Sequence, residues 1–253
     1  MKYTDLIFDL YGTLLDIETD MGLPTWEKIA LFFSFHGAHY TGQALMDAFY
    51  AQVAQRHLQA GENYECFPDT HFEAIMADLF RAKGITENAQ ALGFQAAQVD
   101  RIVAIRHLQL YPGVLDALRK LRAAGYRLWL LTNAQRVFTQ YELCHVGLEG
   151  LFDGIYISSD YGFQKPDRRF FRTLLDEQQL NPQKCLMIGN DRRTDIAGAQ
   201  AVGLDTLYLH TNLTPEDQAP ADPAIHPASL TAAHHMEYKG SDWLEISQLL
   251  CQL

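Results

Sequence analysis

The chain has 253 residues, 48% of them hydrophobic and 20% charged, enough apolar content for one large domain or two modest ones. A formal net charge of −11 and the lack of any basic run exclude the positive face that nucleic acid or an anionic membrane surface requires. No apolar stretch reaches the ~18 residues of a membrane span, and Met1-Lys2-Tyr3-Thr4-Asp5 has no charged-then-apolar leader pattern. The four cysteines (Cys66, Cys144, Cys185, Cys251) show no Cys-x-x-Cys spacing, so reduced thiols and a cytoplasmic protein are expected.

In chain order, an apolar strand, Leu6-Ile7-Phe8, ends in Asp9 and turns on Gly12-Thr13. The stretch from about 16 to 110 then reads as helices only. Trp26, Ile29, Ala30 and Phe33 recur at helical spacing, as do Leu45, Phe49 and Val53. Phe72, Ile75, Met76 and Leu79 repeat the pattern, followed by Val99, Ile102, Val103 and Ile105. An all-helical insert over 16–109 therefore separates core segments 1–15 and 110–253.

From Tyr111 onward helices and strands alternate. Pro112-Gly113 opens a helix that runs to Gly125, and the strand after it ends in Thr132-Asn133. A helix over 137–146 and a strand over 155–158 precede Lys165-Pro166-Asp167 and a helix across Phe170 and Leu174. The strand Leu186-Met187-Ile188-Gly189 runs into Asn190, Asp191 and Asp195, the last opening a helix that Gly203 ends. A strand over 206–210, a loop between 211 and 233 and a helix from Trp243 to Leu250 complete the chain. Apolar strands alternating with helices predict a doubly wound parallel α/β sheet covered on both faces.

Carboxyl ends of parallel strands line the ligand crevice, so the residues that end these strands are the candidate site. Asp9 is the candidate nucleophile, and Lys165 neutralises both it and an incoming anion. Magnesium takes hard oxygen ligands, here Asp9, the Tyr11 carbonyl and Asp191, with Asn190 holding a metal-bound water. Asp195 is expected to orient Lys165, and Thr132 with the backbone after it to bind a phosphoryl oxygen. Gly12, Thr13 and Asn133 complete the expected substrate-binding set.

Carboxylate, hydroxyl, lysine and acid pair at four successive strand ends resemble the haloacid dehalogenase-like (HAD) hydrolase superfamily. The resemblance implies a Rossmann-like core, a mobile helical cap and Mg²⁺-dependent hydrolysis of a small phosphorylated metabolite by a monomer or homodimer. One residue departs from it. Phosphatases of the superfamily carry an Asp two residues after the nucleophile, which protonates the leaving oxygen; here Tyr11 stands there. Asp-x-Tyr-Gly-Thr is similar to the 2-haloacid dehalogenase branch, whose leaving halide needs no proton. Against that branch, Asn190-Asp191 with Asp195 keeps an acid pair, Phe171 replaces a Tyr, and no Arg precedes Arg56 to bind a substrate carboxylate. Phosphate-ester hydrolysis is therefore the first reading and carbon–halogen hydrolysis the second. A phosphate-binding module without its general acid is the third. A phosphatase lacking the acid at position 11 needs another donor from the cap, with His36, His39 and Tyr40 as candidates.

Overall fold

The structure, a computed structural model, describes residues 2–59, 69–215 and 234–253. Six strands form one parallel sheet: β1 (Asp5–Phe8), β4 (Arg127–Thr132), β5 (Gly154–Ile157), β6 (Cys185–Gly189), β7 (Asp205–His210) and β8 (His235–Lys239). Their spatial order is β5-β4-β1-β6-β7-β8. The chain moves outward from β1 through β4 to β5, then crosses back to β6 on the other side of β1. Strand order thus reverses around β1, which is where an open α/β sheet forms its binding crevice.

Alternation along each strand sorts the side chains between two cores. Leu6, Phe8, Leu128, Leu130, Leu186 and Ile188 face one, closed by Val114, Leu118 and Leu121 of α5 (Val114–Ala123) and Trp243 and Ile246 of α9 (Trp243–Leu250). Ile7, Trp129, Leu131, Cys185 and Met187 face the other, with Phe170, Phe171 and Leu174 of α7 (Arg168–Glu177) and Ala199 of α8 (Ala197–Gln200). Both faces are covered, which is why the strands read as continuous apolar runs.

The insert is not helical from end to end. Its two ends, β2 (Leu15–Thr19) and β3 (Ile105–Leu110), pair antiparallel and form a ribbon leading out of the core. Between them lie α1 (Leu23–Phe35), α2 (Gly42–Gln59), α3 (Phe72–Arg81) and α4 (Ala89–Ala104). Trp26, Ile29, Phe33, Leu45, Ile75, Met76 and Phe80 form a separate core here, in which the rings of Phe33 and Phe80 stack at 4.0 Å. The expected stripe on α4 is corrected. Its buried face carries Gly93, Ala96, Ala97 and Asp100, while Ile102 is 73% exposed. Small residues let α3 and α4 approach closely, a face that a search for large apolar residues overlooks. Val137 and Phe138 of α6 (Arg136–His145) join the insert's core, so the insert rests on the helix that follows β4.

Two further differences concern the C-terminal half. The strand β8 was not expected; its pattern, with Met236 and Tyr238 buried between more exposed neighbours, is a period-2 signal in a short polar stretch. The helix expected from Asp195 begins later, because residues 192–196 form a wide π-type turn before α8. Most of the expected loop over 211–233, and Cys66, lie outside the described residues. Among the described residues no helix is long and apolar enough to cross a membrane.

Candidate active site

β1 delivers Asp9 to the crevice, with its backbone N–H bonded to the carbonyl of Ile188 on β6 at 3.0 Å. Lys165, in the loop between β5 and α7, donates from Nζ to Asp9 Oδ1 at 2.7 Å and to Asp195 Oδ1 at 2.6 Å. All three side chains are buried, Asp9 at 7% exposure and Lys165 at 2%. Burial alone would pull the Lys165 ammonium down, but the carboxylates of Asp195 and Asp9 outweigh it and hold it above its usual range. Burial pushes the Asp195 carboxyl up, against the neighbouring ammonium. A buried lysine between two carboxylates is charged, desolvated and fixed.

Each member is held by local structure. Asn133 clamps the Lys165 backbone: its Oδ1 accepts from the Lys165 N–H at 2.7 Å and its Nδ2 donates to the Lys165 carbonyl at 2.9 Å. Asp167 caps α7 by accepting from Arg169 N at 2.9 Å. The π-type turn, a feature that recurs at functional sites, brings Asp195 back toward the end of β6. There its Oδ2 accepts from Asp191 N at 3.0 Å. A Cβ at Gly189 would collide with the Asp195 carboxylate, so the strand ends in glycine.

Thr132 is fully buried at the end of β4, and its Oγ1 has no hydrogen-bond partner among the described residues. An unpaired buried hydroxyl is costly, of order 1–3 kcal/mol, unless a ligand oxygen or water completes it. Gly12, at φ +83°, lies where any side chain would strike Asn190.

Oxygen atoms that could serve a hard cation gather near Asp9. Thr13 Oγ1 lies 3.1 Å from both Asp9 Oδ2 and Asn190 Oδ1. The Asn190 amide is oriented by donation from Nδ2 to the Leu213 carbonyl at 3.1 Å. One hydroxyl proton cannot serve two acceptors, so this pole carries an excess of oxygen lone pairs that a divalent cation satisfies. Asp191 is engaged elsewhere: its Oδ1 accepts from Arg193 N at 2.7 Å and Thr194 N at 3.1 Å, capping the turn. Among the described residues no three Asp, Glu, His or Cys side chains gather at metal-binding distance. An ion here would complete its shell with water and substrate, as Mg²⁺ commonly does. On that condition the donors fit.

Tyr11 faces away from this pole. Its hydroxyl donates a short hydrogen bond to Glu142 Oε2 and lies 3.0 Å from Thr139 Oγ1, both on α6. Burial, then the Glu142 charge, push its phenol far above the usual range. Arg101 of α4 pairs with Glu142, Nε to Oε1 at 2.5 Å, and its guanidinium lies 5.2 Å from the Tyr11 ring centre and 4.5 Å from that of Phe138.

Between insert and core lies a cavity of about 300 Å³, lined by Tyr11, Ile17, Thr19, Asp69, Arg101, Asn133, Ala134, Gln135, Phe138 and Gln164. A larger groove of about 570 Å³ runs along α4, β3 and α6 and is lined by none of the strand-end residues. Sequence reasoning missed Asp69, Arg101, Gln135 and Gln164, since no motif distinguishes them. Of the insert's expected donors, His36 and His39 are exposed, and Tyr40 donates to the Leu79 carbonyl at 2.8 Å, inside the insert.

Known proteins resemble this chain in sequence and in fold. A glyceraldehyde 3-phosphate phosphatase of Methanothermobacter thermautotrophicus is 29% identical over 62% of this chain, and the match spans 65% of that protein, just under two thirds. The putative HAD-hydrolase YfnB of Bacillus subtilis is 28% identical over 85% of this chain and 87% of its own. A solved structure of YfnB, described as bound to magnesium, superposes with a TM-score of 0.54 at 24% identity and 99% coverage of both chains. A 2-haloacid dehalogenase from Pseudomonas syringae gives a TM-score of 0.67 at 19% identity, again with 99% coverage of both, a likeness of fold. The family model for haloacid dehalogenase-like hydrolases matches residues 6–203, from the strand that carries Asp9 to the end of the turn beyond Asp195. The chain belongs to the haloacid dehalogenase-like hydrolase family.

Proposed function

We propose that this hydrolase is a Mg²⁺-dependent phosphatase of a small phosphorylated metabolite, with Asp9 as nucleophile. The observation that carries the reading is the buried Asp9–Lys165–Asp195 array, with Thr132 ending the strand next to β1 and its hydroxyl unpartnered among the described residues. Lys165 pairs with Asp9 and meets the charge of an incoming phosphoryl group, while Asp195 fixes the ammonium. Thr132 Oγ1 donates to a phosphoryl oxygen, which completes its own hydrogen bonding. Asn133 acts through the Lys165 backbone and lines the cavity. Gly12 and Thr13 give the turn that lets Asn190 approach.

Asp9, the Tyr11 carbonyl and Asn190 Oδ1 would hold the cation. Asp191, the acid expected to coordinate it, acts instead as the cap of the turn. Bound there, Mg²⁺ supplies positive charge against the phosphoryl oxygens. Phosphatase relatives and the magnesium-bound YfnB support this reading. Residues 16–109 serve as the cap, closing the cavity over the core of 1–15 and 110–253.

The test is phosphate release from p-nitrophenyl phosphate and acetyl phosphate with Mg²⁺ and with EDTA. Turnover that requires the metal is expected; turnover indifferent to EDTA would refute the metal assignment. Carbon–halogen hydrolysis remains the second reading, favoured by Tyr11 and by Arg101 in the cavity, a guanidinium the sequence did not place there. Metal-independent halide release from 2-chloropropionate would decide for it.

A further inference from the structure

With the Tyr11 hydroxyl committed to Glu142 and Thr139, a phosphatase reaction lacks a proton donor at the usual place. Asp69 lies just before α3, and its backbone N–H donates to the Gly162 carbonyl at 3.1 Å. Its Oδ1 accepts from Thr70 N at 2.7 Å and from Gln135 Nε2 at 2.9 Å. Gln135 Oε1 in turn accepts from Phe72 N at 3.0 Å. The insert is thereby pinned to the loop that follows Thr132. The other oxygen, Asp69 Oδ2, is buried and has no well-formed hydrogen bond among the described residues, while the nearby Ser158 hydroxyl favours the charged carboxylate.

Asp69 shares the 300 Å³ cavity with Tyr11, Asn133 and Gln164, each one or two residues from Asp9, Thr132 and Lys165 respectively. The cavity's other charged group, Arg101, is neutralised by Glu142, and His71 is the ionisable neighbour along the insert. Burial pushes the Asp69 carboxyl up, so it keeps its proton to higher pH than an exposed aspartate.

We propose that Asp69 is the general acid of this enzyme, delivered by the cap in place of the acid missing at position 11. The inference rests on the phosphatase reading. In the first half-reaction an Asp9 oxygen bonds to phosphorus as the ester P–O bond breaks, and the departing oxygen takes the Asp69 proton. In the second, the Asp69 carboxylate takes a proton from the water that attacks phosphorus, and the phosphorus–Asp9 bond breaks. The acid is then restored.

Leaving-group dependence tests this. For wild type, D69N and D69E, kcat/KM is compared on glycerol 2-phosphate, whose alkoxide needs a proton, and on p-nitrophenyl phosphate, whose phenolate needs little. D69N should lose about 10²-fold more on the alkyl ester, and D69E, which keeps a carboxyl, should recover part of it. Wild-type alkyl-ester turnover should fall as pH rises through the Asp69 pKa, a limb that D69N lacks. Equal losses on both esters, or a wild type active on the aryl ester alone, would overturn the assignment. Thermal unfolding checks each variant's fold, and the wild-type profile decides if D69N does not fold. A wild type inert on both esters would overturn the phosphatase reading itself.

Discussion

At the strand ends, Asp9, Lys165 and Asp195 are buried in one another's company and fixed by β1, the Asn133 clamp and the π-type turn. Across the cavity, Asp69 and Arg101 reach in from a loop and from α4, and both depend on how the insert rests on α6 and the loop after Thr132. On the proposed reading, the first group binds and attacks the phosphoryl group. The second adapts that reaction to a particular leaving group. The paired array is thus carried at the sheet, whereas Asp69 and Arg101 come from the insert side.

Substitutions sharpen the contrast, and the largest effect should come from the floor. Lys165→Met leaves two buried carboxylates without their cation, a change that typically costs about 3–5 kcal/mol. We expect a fall in both the unfolding midpoint and turnover, the latter by ~10³-fold or more. A variant with near wild-type turnover would show that the array is structural. Thr132→Val should separate stability from activity. Loss of the donor should cost ~10–10²-fold in kcat, while removal of a buried unpaired hydroxyl should leave stability equal or up to about 1 kcal/mol higher. Matched losses in both would mean that Thr132 is an ordinary core residue.

Where core and insert meet, Tyr11→Phe should have the smallest effect. Glu142 keeps Arg101, so about 0.5–1.5 kcal/mol of stability is at stake, and turnover should fall by less than 10-fold. A loss of 10²-fold or more, with alkyl esters hit hardest, would return the proton-donor role to Tyr11.

What the sequence disclosed follows the same division. Strand-end residues are legible because a short apolar run ending in Asp, Thr or Gly leaves few choices of register and face. Asp9, Thr132, Lys165 and Asp195 are all buried, and Lys165 pairs with both Asp9 and Asp195. Choosing between Asn190 and Asp191 was harder, because a turn of unusual width follows β6 and rotates one residue into a cap. Large apolar residues marked α1 and α3 well. They misled on α4, where small side chains do the packing and Ile102 faces outward. Asp69, Arg101 and Gln135 carry no periodic or motif signal; they meet the site only through tertiary placement of the insert.

The central claim is that Asp9 attacks phosphorus. Acid-quenching the enzyme during turnover of acetyl phosphate and mapping phosphate adducts by mass spectrometry tests it directly. An acyl-phosphate is expected on the peptide that carries Asp9, lost together with phosphate release in Asp9→Asn. Steady turnover without an adduct at Asp9, or an Asp9→Asn enzyme as active as wild type, would contradict it.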